Sequence, residues 1–179
     1  IQLPNTITRI ERNAFTGNKL TRVELPSSLT YLNGFSNNAL TNVVIPSGVT
    51  HIGNEAFARN QLTSVTLPNT VTRIDADAFR SNALTQLELP SSIEHLSGFA
   101  RNKLTSVTIP SGVTHIDNDA FMDNELQSVT LSDTVEHIGA FVFANNHLTN
   151  VTLPSNVKTA SLSAFTGNPL ATISLQGSD

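Results

Sequence analysis

The sequence of 179 residues contains no cysteine, so disulfide bonds and thiolate chemistry are excluded. This absence is compatible with either an oxidising or a reducing compartment. No apolar run approaches the roughly 18 residues of a membrane span, and no signal peptide is visible. Only 13% of the residues are charged, the net charge is -4, and the Lys and Arg residues are scattered singly. This pattern argues against a nucleic acid or an anionic membrane as the partner.

What the sequence does contain is a recurring motif, Asn-x-Leu-x-x-Val-x-Leu-Pro, as in residues 60–68. It recurs at intervals of 20 or 22 residues, and its eight asparagines are Asn18, Asn38, Asn60, Asn82, Asn102, Asn124, Asn146 and Asn168. A short and nearly constant period is the signature of a solenoid. Val and the second Leu of the motif can share the buried face of a short parallel strand, which the proline ends.

The eight coils of this solenoid begin near residues 3, 25, 45, 67, 89, 109, 131 and 153. Residues 3–66 and 67–130 have matching sequences, which indicates duplication of a three-coil unit. The two coils of 20 residues are shortened at a turn that contains Gly34 or Gly98, because glycine permits a tighter path. Ile1 already lies within a strand motif. We therefore expect residues 1–179 to form a single repeat domain of a longer protein, with further repeats or a domain on the N-terminal side.

Two columns of the repeat predict the interior of the stack. One position is phenylalanine in all eight coils, at Phe15, Phe35, Phe57, Phe79, Phe99, Phe121, Phe143 and Phe165. Burial of each ring should contribute roughly 1.5 to 3 kcal/mol. The motif asparagines should form a parallel ladder in which each side-chain amide pairs with turn backbone. The residues before the Ala-Phe pair predict N-caps of short helical turns, and they are Asn13, Glu55, Asp77, Asp119 and Ser163.

The pattern Leu-Thr-x-Val-x-Ile-Pro-x-x-Val-x-x-Ile-x-x-x-Ala-Phe extends from Leu3 to Leu175 and is matched closely by residues 109–121. It resembles bacterial leucine-rich repeats of the BspA-like type. The resemblance implies a right-handed leucine-rich-repeat solenoid of the α/β class, with one short parallel strand per coil on one face and turns or short helical turns on the return side. Many family members have Cys where this chain has Asn, which we interpret as one ladder residue replacing another. The resemblance also implies a secreted or surface-exposed bacterial protein whose repeats bind proteins or host matrix.

Catalytic and metal-binding constellations are explained better by the repeat itself. Ser, His and Asp recur in register on successive coils, whereas a catalytic triad is a single constellation. Asp75 with Asp77, and Asp117 with Asp119, have the spacing of calcium ligands. Both pairs lack the glycine and the distal glutamate of a calcium loop. We therefore predict a protein that is not an enzyme, with no cofactor and no metal site.

One candidate binding surface is the motif face, formed by the outward residues of the motif strands. Most of these residues are small and carry hydroxyl groups, and the face lacks the aromatic anchors of tight interfaces. This composition favours a solvated sheet, although regular Ser and Thr rows would also suit a lattice such as ice or a glycan. The candidate binding residues on the motif face are Arg22, Glu24, Gln86 and Glu88.

The second candidate surface is the histidine column. After each proline turn the repeat reads Val-x-x-Ile, or a close variant of it, and the column consists of the residue directly before that Ile position. Its members are Arg9, Tyr31, His51, Arg73, His95, His115, His137 and Thr159, of which the first seven are candidate binding residues. Duplication explains His51 with His115, but it does not explain His95 or His137. Adjacent rungs should lie about 5 Å apart. Three imidazoles could then share a transition metal or, when protonated, present a cationic stripe to an acidic partner between about pH 5 and 8.

Taken together, these patterns predict a protein- or glycan-binding repeat module of a bacterial surface or secreted protein, with a role in adhesion. Two alternatives stay open at this point. One is a purely structural spacer or stalk, and the other is an intracellular effector interaction domain. A stalk would keep adhesion when the strand face is altered, whereas a binding module would lose it.

Overall fold

The computed structural model describes residues 1–161 and 163–176. Within these residues the chain forms short parallel strands joined by turns, and it contains no helix that could span a membrane. The strands, in chain order, are β1 (Arg9–Ile10), β2 (Tyr31–Leu32), β3 (Asn42–Val44), β4 (His51–Ile52), β5 (Ser64–Thr66), β6 (Arg73–Ile74), β7 (His95–Leu96), β8 (Ser106–Thr108), β9 (His115–Ile116), β10 (Ser128–Thr130), β11 (His137–Ile138), β12 (Asn150–Leu153), β13 (Thr159–Ala160) and β14 (Thr172–Leu175).

An eight-stranded parallel sheet runs the length of the stack, in the order β1-β2-β4-β6-β7-β9-β11-β13. Each coil contributes one two-residue strand to it, directly after the proline turn or, in the seventh coil, after the turn at Ser132. The motif strands pair only two at a time, as β3 with β5, β8 with β10, and β12 with β14. The prediction of one short parallel strand per coil on one face is confirmed by this sheet, but its location in the motif is wrong. The continuous sheet follows the histidine column, and most coils contribute a second strand in the motif.

Stacked phenylalanine rings fill the centre of the solenoid. The six inner rings, from Phe35 to Phe143, are fully buried, whereas Phe15 and Phe165 in the outer coils are half-buried. Successive ring centroids lie 5.1 to 5.8 Å apart, and the ring planes differ by 5° to 17°. The backbone follows the same spacing, since Phe79 N donates to Gly98 O in the next coil at 2.7 Å. Ring contacts and backbone hydrogen bonds therefore set the rise of the stack together.

The motif asparagines connect neighbouring coils through their side chains. Asn60 Nδ2 donates to Phe35 O at 2.9 Å and to Phe57 O at 3.1 Å, and its Oδ1 accepts from Leu40 N at 3.1 Å. The same three contacts recur at Asn38, Asn82, Asn102, Asn124, Asn146 and Asn168. Each amide thus satisfies turn backbone in its own coil and in the coil before it. Asn18, in the first coil, donates to Phe15 O at 2.8 Å.

The return side of each coil is built from turns in the left-handed region of backbone space. Asn13, Glu55, Asp77 and Asp119 have φ between 60° and 67°, whereas an N-cap residue has an extended backbone. The predicted N-caps are therefore wrong at these four positions. A second left-handed position precedes every ladder asparagine, with φ between 55° and 80°, at Gly17, Asn37, Arg59, Ser81, Arg101, Asp123, Asn145 and Gly167. In the first seven coils the N–H group at this position donates to the next coil, whereas a helical turn would direct it within its own coil.

Gly34 and Gly98 shape the two shorter coils. Their φ angles are +94° and +98°. A Cβ atom at Gly34 would lie 2.6 Å from the Glu11 carbonyl oxygen, and one at Gly98 would lie 2.8 Å from that of Asp75. Only glycine combines a left-handed backbone with so close an approach. The two missing residues are therefore accommodated at these glycines.

Arg59 offers a test of the left-handed turns. It is exposed and has φ of 56°, and Asn37 and Asn145 hold the same position at 55° and 57°. Because asparagine tolerates this conformation better than arginine, Arg59→Asn should stabilise the fold by roughly 0.5 kcal/mol. Urea unfolding measures the change. Arg12→Asn removes the same charge where the backbone is not left-handed, so an equal gain there would show that charge rather than backbone conformation is responsible.

Candidate functional site

The eight-stranded sheet places the histidine column in a single parallel register. Arg9 pairs with Tyr31, Tyr31 with His51, and the series continues through the remaining rungs to Thr159. In the first seven strands of this sheet, the residue that follows the column residue is a buried Ile or Leu. The column residues themselves are exposed or half-buried. The seven candidate binding residues of the column therefore lie together on the outer side of one sheet.

A second column of residues, here called the companion column, lies beside the histidine column on the same side of the sheet, because strand residues two apart point the same way. It comprises the residues two positions after each column residue, namely Glu11, Asn33, Gly53, Asp75, Ser97, Asp117, Gly139 and Ser161. Our sequence analysis missed these residues as parts of the site. The signal that could have found them is this alternation, which applies once the strand is known to lie after the proline turn.

The N-terminal end of the histidine column is ordered by ring and charge contacts. The Arg9 guanidinium carbon lies 4.4 Å from the Tyr31 ring centroid, in cation–π geometry. The Tyr31 and His51 rings are in edge-to-face geometry, with centroids 5.0 Å apart. Arg9 Nε also contacts Glu11 Oε1 at 2.8 Å, and this hydrogen bond raises the pKa of Arg9 above its ordinary value. Arg9 therefore stays cationic at physiological pH.

Asp75 connects two members of the histidine column. Its Oδ1 lies 2.7 Å from Arg73 Nε, and its Oδ2 lies 2.6 Å from His51 Nε2. The Asp75 side chain is only 17% exposed, whereas that of Arg73 is 57% exposed. The hydrogen bond from Arg73 to Asp75, followed by their charge attraction, raises the pKa of Arg73. Asp75 therefore holds the side chains of His51 and Arg73 in place.

The C-terminal half of the column is a row of neighbouring imidazole rings. His95 and His115 have ring centroids 5.3 Å apart, and His115 and His137 are stacked at 4.5 Å. His115 Nδ1 lies 2.9 Å from the Thr114 hydroxyl oxygen, and His137 Nδ1 lies 2.6 Å from that of Thr159. Each of these two rings is thus anchored through one nitrogen.

This stacking contradicts the idea that the histidines share a transition metal. The lone pair of an imidazole nitrogen lies in the ring plane, so rings stacked face to face cannot direct their nitrogens at one ion. No group of three His, Cys, Asp or Glu side chains suited to a metal occurs among the described residues. The calcium-like spacing of Asp75 and Asp77 also has another use, because Asp75 pairs with Arg73 and Asp77 pairs with Arg80.

The motif-face candidates lie apart from the histidine column, on other strands and segments. Arg22 and Glu24 border a recess of about 300 Å³ beside β3. Gln86 and Glu88 border a recess of about 280 Å³ beside β5 and belong to no strand. The two sites are three coils apart, so the structure does not bring these four residues together. The recess beside β5 separates Ser64 and Thr66 from the next coil, and the motif strands pair only two at a time, so the Ser and Thr rows do not form one continuous sheet.

Gly53 in the companion column leaves room for Tyr31. A Cβ atom there would meet the Tyr31 hydroxyl and would lie 2.5 Å from Asn33 Nδ2. Gly53→Ala should therefore displace the Tyr31 ring, break its hydrogen bond with Asn33 and lower stability by about 1 kcal/mol. The chain has one tyrosine and no tryptophan, so tyrosine fluorescence reports on Tyr31 alone.

Gly139→Ala is the matched control for Gly53→Ala. Gly139 holds the same companion position, but a Cβ atom there would meet Asn118 and Asp117 instead of Tyr31. Tyrosine emission should change in the Gly53 variant and stay constant in the Gly139 variant. Equal emission in all three proteins would show that Gly53 does not position the ring.

Comparisons with known proteins agree with this fold. The family model described as the BspA type leucine rich repeat region matches residues 1–100 and 96–178. YopM from Yersinia enterocolitica is 24% identical over 88% of this chain and 38% of its own, with a TM-score of 0.56, which shows a shared fold alone. A leucine rich cell surface protein from Faecalibacterium prausnitzii is 20% identical over 99% of this chain and 79% of its own, with a TM-score of 0.47. The pneumococcal vaccine antigen PcpA is 20% identical over 97% of this chain and 61% of its own, with a TM-score of 0.48. The comparison with curated proteins finds no match.

Proposed function

Because this chain belongs to the BspA type of leucine-rich repeat proteins, whose repeats generally serve in protein interaction, we propose that it is a protein-binding module and that the histidine column is its binding edge. The proposed setting is a bacterial surface or secreted protein with a role in adhesion. The proposed activity is binding without catalysis. A glycan ligand, a spacer role and an effector role are alternatives that experiment can separate from it.

The observation that carries the proposal is the chemistry and order of the histidine column. Seven of its eight side chains bear a ring or a guanidinium group, and all eight lie on one continuous sheet. Tyr and Arg, which are enriched among the residues that dominate protein interfaces, occur here as Arg9, Tyr31 and Arg73. Contacts such as Asp75 with Arg73 order these side chains in advance, which lowers the entropy lost on binding.

A matched pair of variants tests which surface binds. The column variant carries Arg9→Thr, Tyr31→Thr and His115→Thr, because threonine already stands in the column at Thr159. The motif-face variant places Ser at positions 22 and 86 and Thr at positions 24 and 88. These are the residue types that another coil already has at the equivalent positions, Ser106 and Thr108. Both variants should keep the circular dichroism spectrum of the unaltered protein.

Binding is measured against a panel of purified host matrix and serum proteins and a glycan array, at neutral and mildly acidic pH. We expect the column variant to lose about tenfold or more in affinity for a panel protein, whereas the motif-face variant changes little. The reverse result would move the binding surface to the motif face. A ligand found only on the glycan array would replace the protein partner, and a protein that binds nothing would favour the spacer role.

A further inference from the structure

The three histidines of the C-terminal half occupy consecutive rungs of one sheet. The His115 and His137 rings are stacked with centroids 4.5 Å apart, and the His95 ring is tilted by 31° against His115 at 5.3 Å. Histidine is the side chain that ordinarily changes charge between pH 5 and 8. Three such side chains therefore lie side by side on this surface.

Six other charged groups lie on the same rungs as these rings or on the two adjacent rungs. Arg73 pairs in register with His95, and Glu136 Oε2 lies 3.9 Å from His137 Nε2 and 3.4 Å from Lys158 Nζ. The full set is Arg73 and Lys158, which are positive, and Asp75, Glu94, Asp117 and Glu136, which are negative. With neutral imidazoles, two cations and four carboxylates give a formal charge of -2. Protonation of the three rings changes that charge to +1.

We propose that His95, His115 and His137 form a docking site for an acidic peptide segment of the partner, which binds below about pH 6 and is released near neutral pH. This inference rests on the proposed function and specifies the chemistry of the partner. The reversal of the surface charge makes the site complementary to carboxylates only when the imidazoles are protonated.

The close stacking couples protonation to binding. Two imidazolium rings with centroids 4.5 Å apart repel each other, and a partner carboxylate beside them offsets that repulsion. Threonine hydroxyls already engage Nδ1 of His115 and His137, so His115 donates to the partner carboxylate through Nε2 in a charge-assisted hydrogen bond. His137 Nε2 lies 3.9 Å from Glu136 Oε2, and a partner carboxylate would compete with Glu136 for it. The peptide therefore favours proton uptake, and protons favour the peptide by the same factor. His51 differs, because Asp75 already contacts it.

The test uses octa-aspartate, which stays ionised at mildly acidic pH because aspartate ordinarily titrates near about 3.9. We expect the unaltered protein to bind octa-aspartate at least about tenfold more tightly at about pH 5.5 than at about pH 7.5, with weaker binding in high salt. The triple variant H95T/H115T/H137T should lose this pH dependence. H147T removes the one histidine outside the column and should retain it.

A second variant keeps the test decisive if the triple variant does not fold. H115K/H137K carries permanent charges and should bind octa-aspartate at both pH values. Equal affinity of the unaltered protein at the two pH values would overturn the inference, and so would pH-dependent binding of a heparin oligosaccharide without binding of octa-aspartate. A panel protein that binds through the column equally at both pH values would leave the proposed function intact and refute only this inference. If no panel protein uses the column while octa-aspartate binds as expected, the inference is supported and the proposed function fails.

Discussion

Replacement of Phe79 by alanine is expected to lower the free energy of unfolding by about 3 to 5 kcal/mol. The Phe79 ring is fully buried between Phe57, at 5.5 Å, and Phe99, at 5.1 Å. The neighbouring coils cannot close onto the vacated space, because backbone hydrogen bonds such as Phe79 N to Gly98 O hold their separation. The change therefore leaves a cavity, and urea unfolding followed by circular dichroism measures its effect.

Phe141→Ala is the matched control for this prediction. The same atoms are removed, but Phe141 is 45% exposed and lies outside the ring stack. Its backbone has φ of 60°, and alanine retains most of that strain, so the comparison isolates the side chain. We expect a loss below about 1 kcal/mol. Similar losses in the two variants would show that the phenylalanine stack is not the main source of stability.

Replacement of Asn102 by alanine should destabilise the fold by about 1 to 3 kcal/mol, because it leaves the buried Leu84 N–H without a partner. It also removes one of the two asparagine side-chain hydrogen bonds to the Phe79 and Phe99 carbonyls, which keep those from Asn82 and Asn124. Asn102 is 6% exposed. Its Nδ2 donates to Phe79 O at 3.0 Å and to Phe99 O at 3.1 Å, and its Oδ1 accepts from Leu84 N at 3.1 Å. The free energy of unfolding in urea measures the loss.

Two further variants interpret the Asn102 result. Asn102→Asp keeps the acceptor for Leu84 N but places oxygen against two carbonyl oxygens, so it should destabilise the fold at least as strongly. Asn54→Ala removes an exposed asparagine and should change stability by less than about 0.5 kcal/mol. If Asn102→Ala and Asn54→Ala have the same effect, the asparagine ladder contributes no stability.

The coil period was readable from sequence because each coil packs mainly against copies of itself. The eight-fold recurrence of Phe and Asn at fixed spacing therefore predicted a solenoid, and the resemblance of the repeat pattern to BspA-like repeats implied the leucine-rich-repeat fold and family. Both are confirmed. The spacing also marked where length is dispensable, since Gly34 and Gly98 stand where the shorter coils tighten. These features depend on the repeat itself rather than on details of any single coil.

The position of the main sheet was not predictable in the same way. The motif alternates buried and exposed residues, which is the usual signal of a strand. In the segment after the proline turn, Val71 and Ile74 are buried while Thr72 and Arg73 are both exposed. A two-residue strand has no period of its own, so its strand character comes only from pairing with adjacent coils. The left-handed turns escaped prediction for a related reason, because residues such as Glu55 and Arg59 seldom adopt that conformation.

The candidate site was predictable in register but not in side-chain geometry. Rung spacing predicted neighbouring histidines about 5 Å apart, and the ring centroids lie 4.5 and 5.3 Å apart. Ring orientation depends on local partners such as Thr114 and Thr159, which the repeat pattern does not specify. His51 and Asp75 are 24 positions apart in the sequence and lie on adjacent coils, so their contact is visible only in the folded structure.

The most direct measurement of the central claim is carbethoxylation of the five histidines, with and without a panel protein that binds, quantified by mass spectrometry. Four histidines stand in the histidine column, and His147 is exposed outside it, next to a ladder asparagine. If the column is the binding edge, the bound protein slows modification of column histidines and leaves His147 unchanged. Protection of His147 with no change at His51, His95, His115 and His137 would contradict the account.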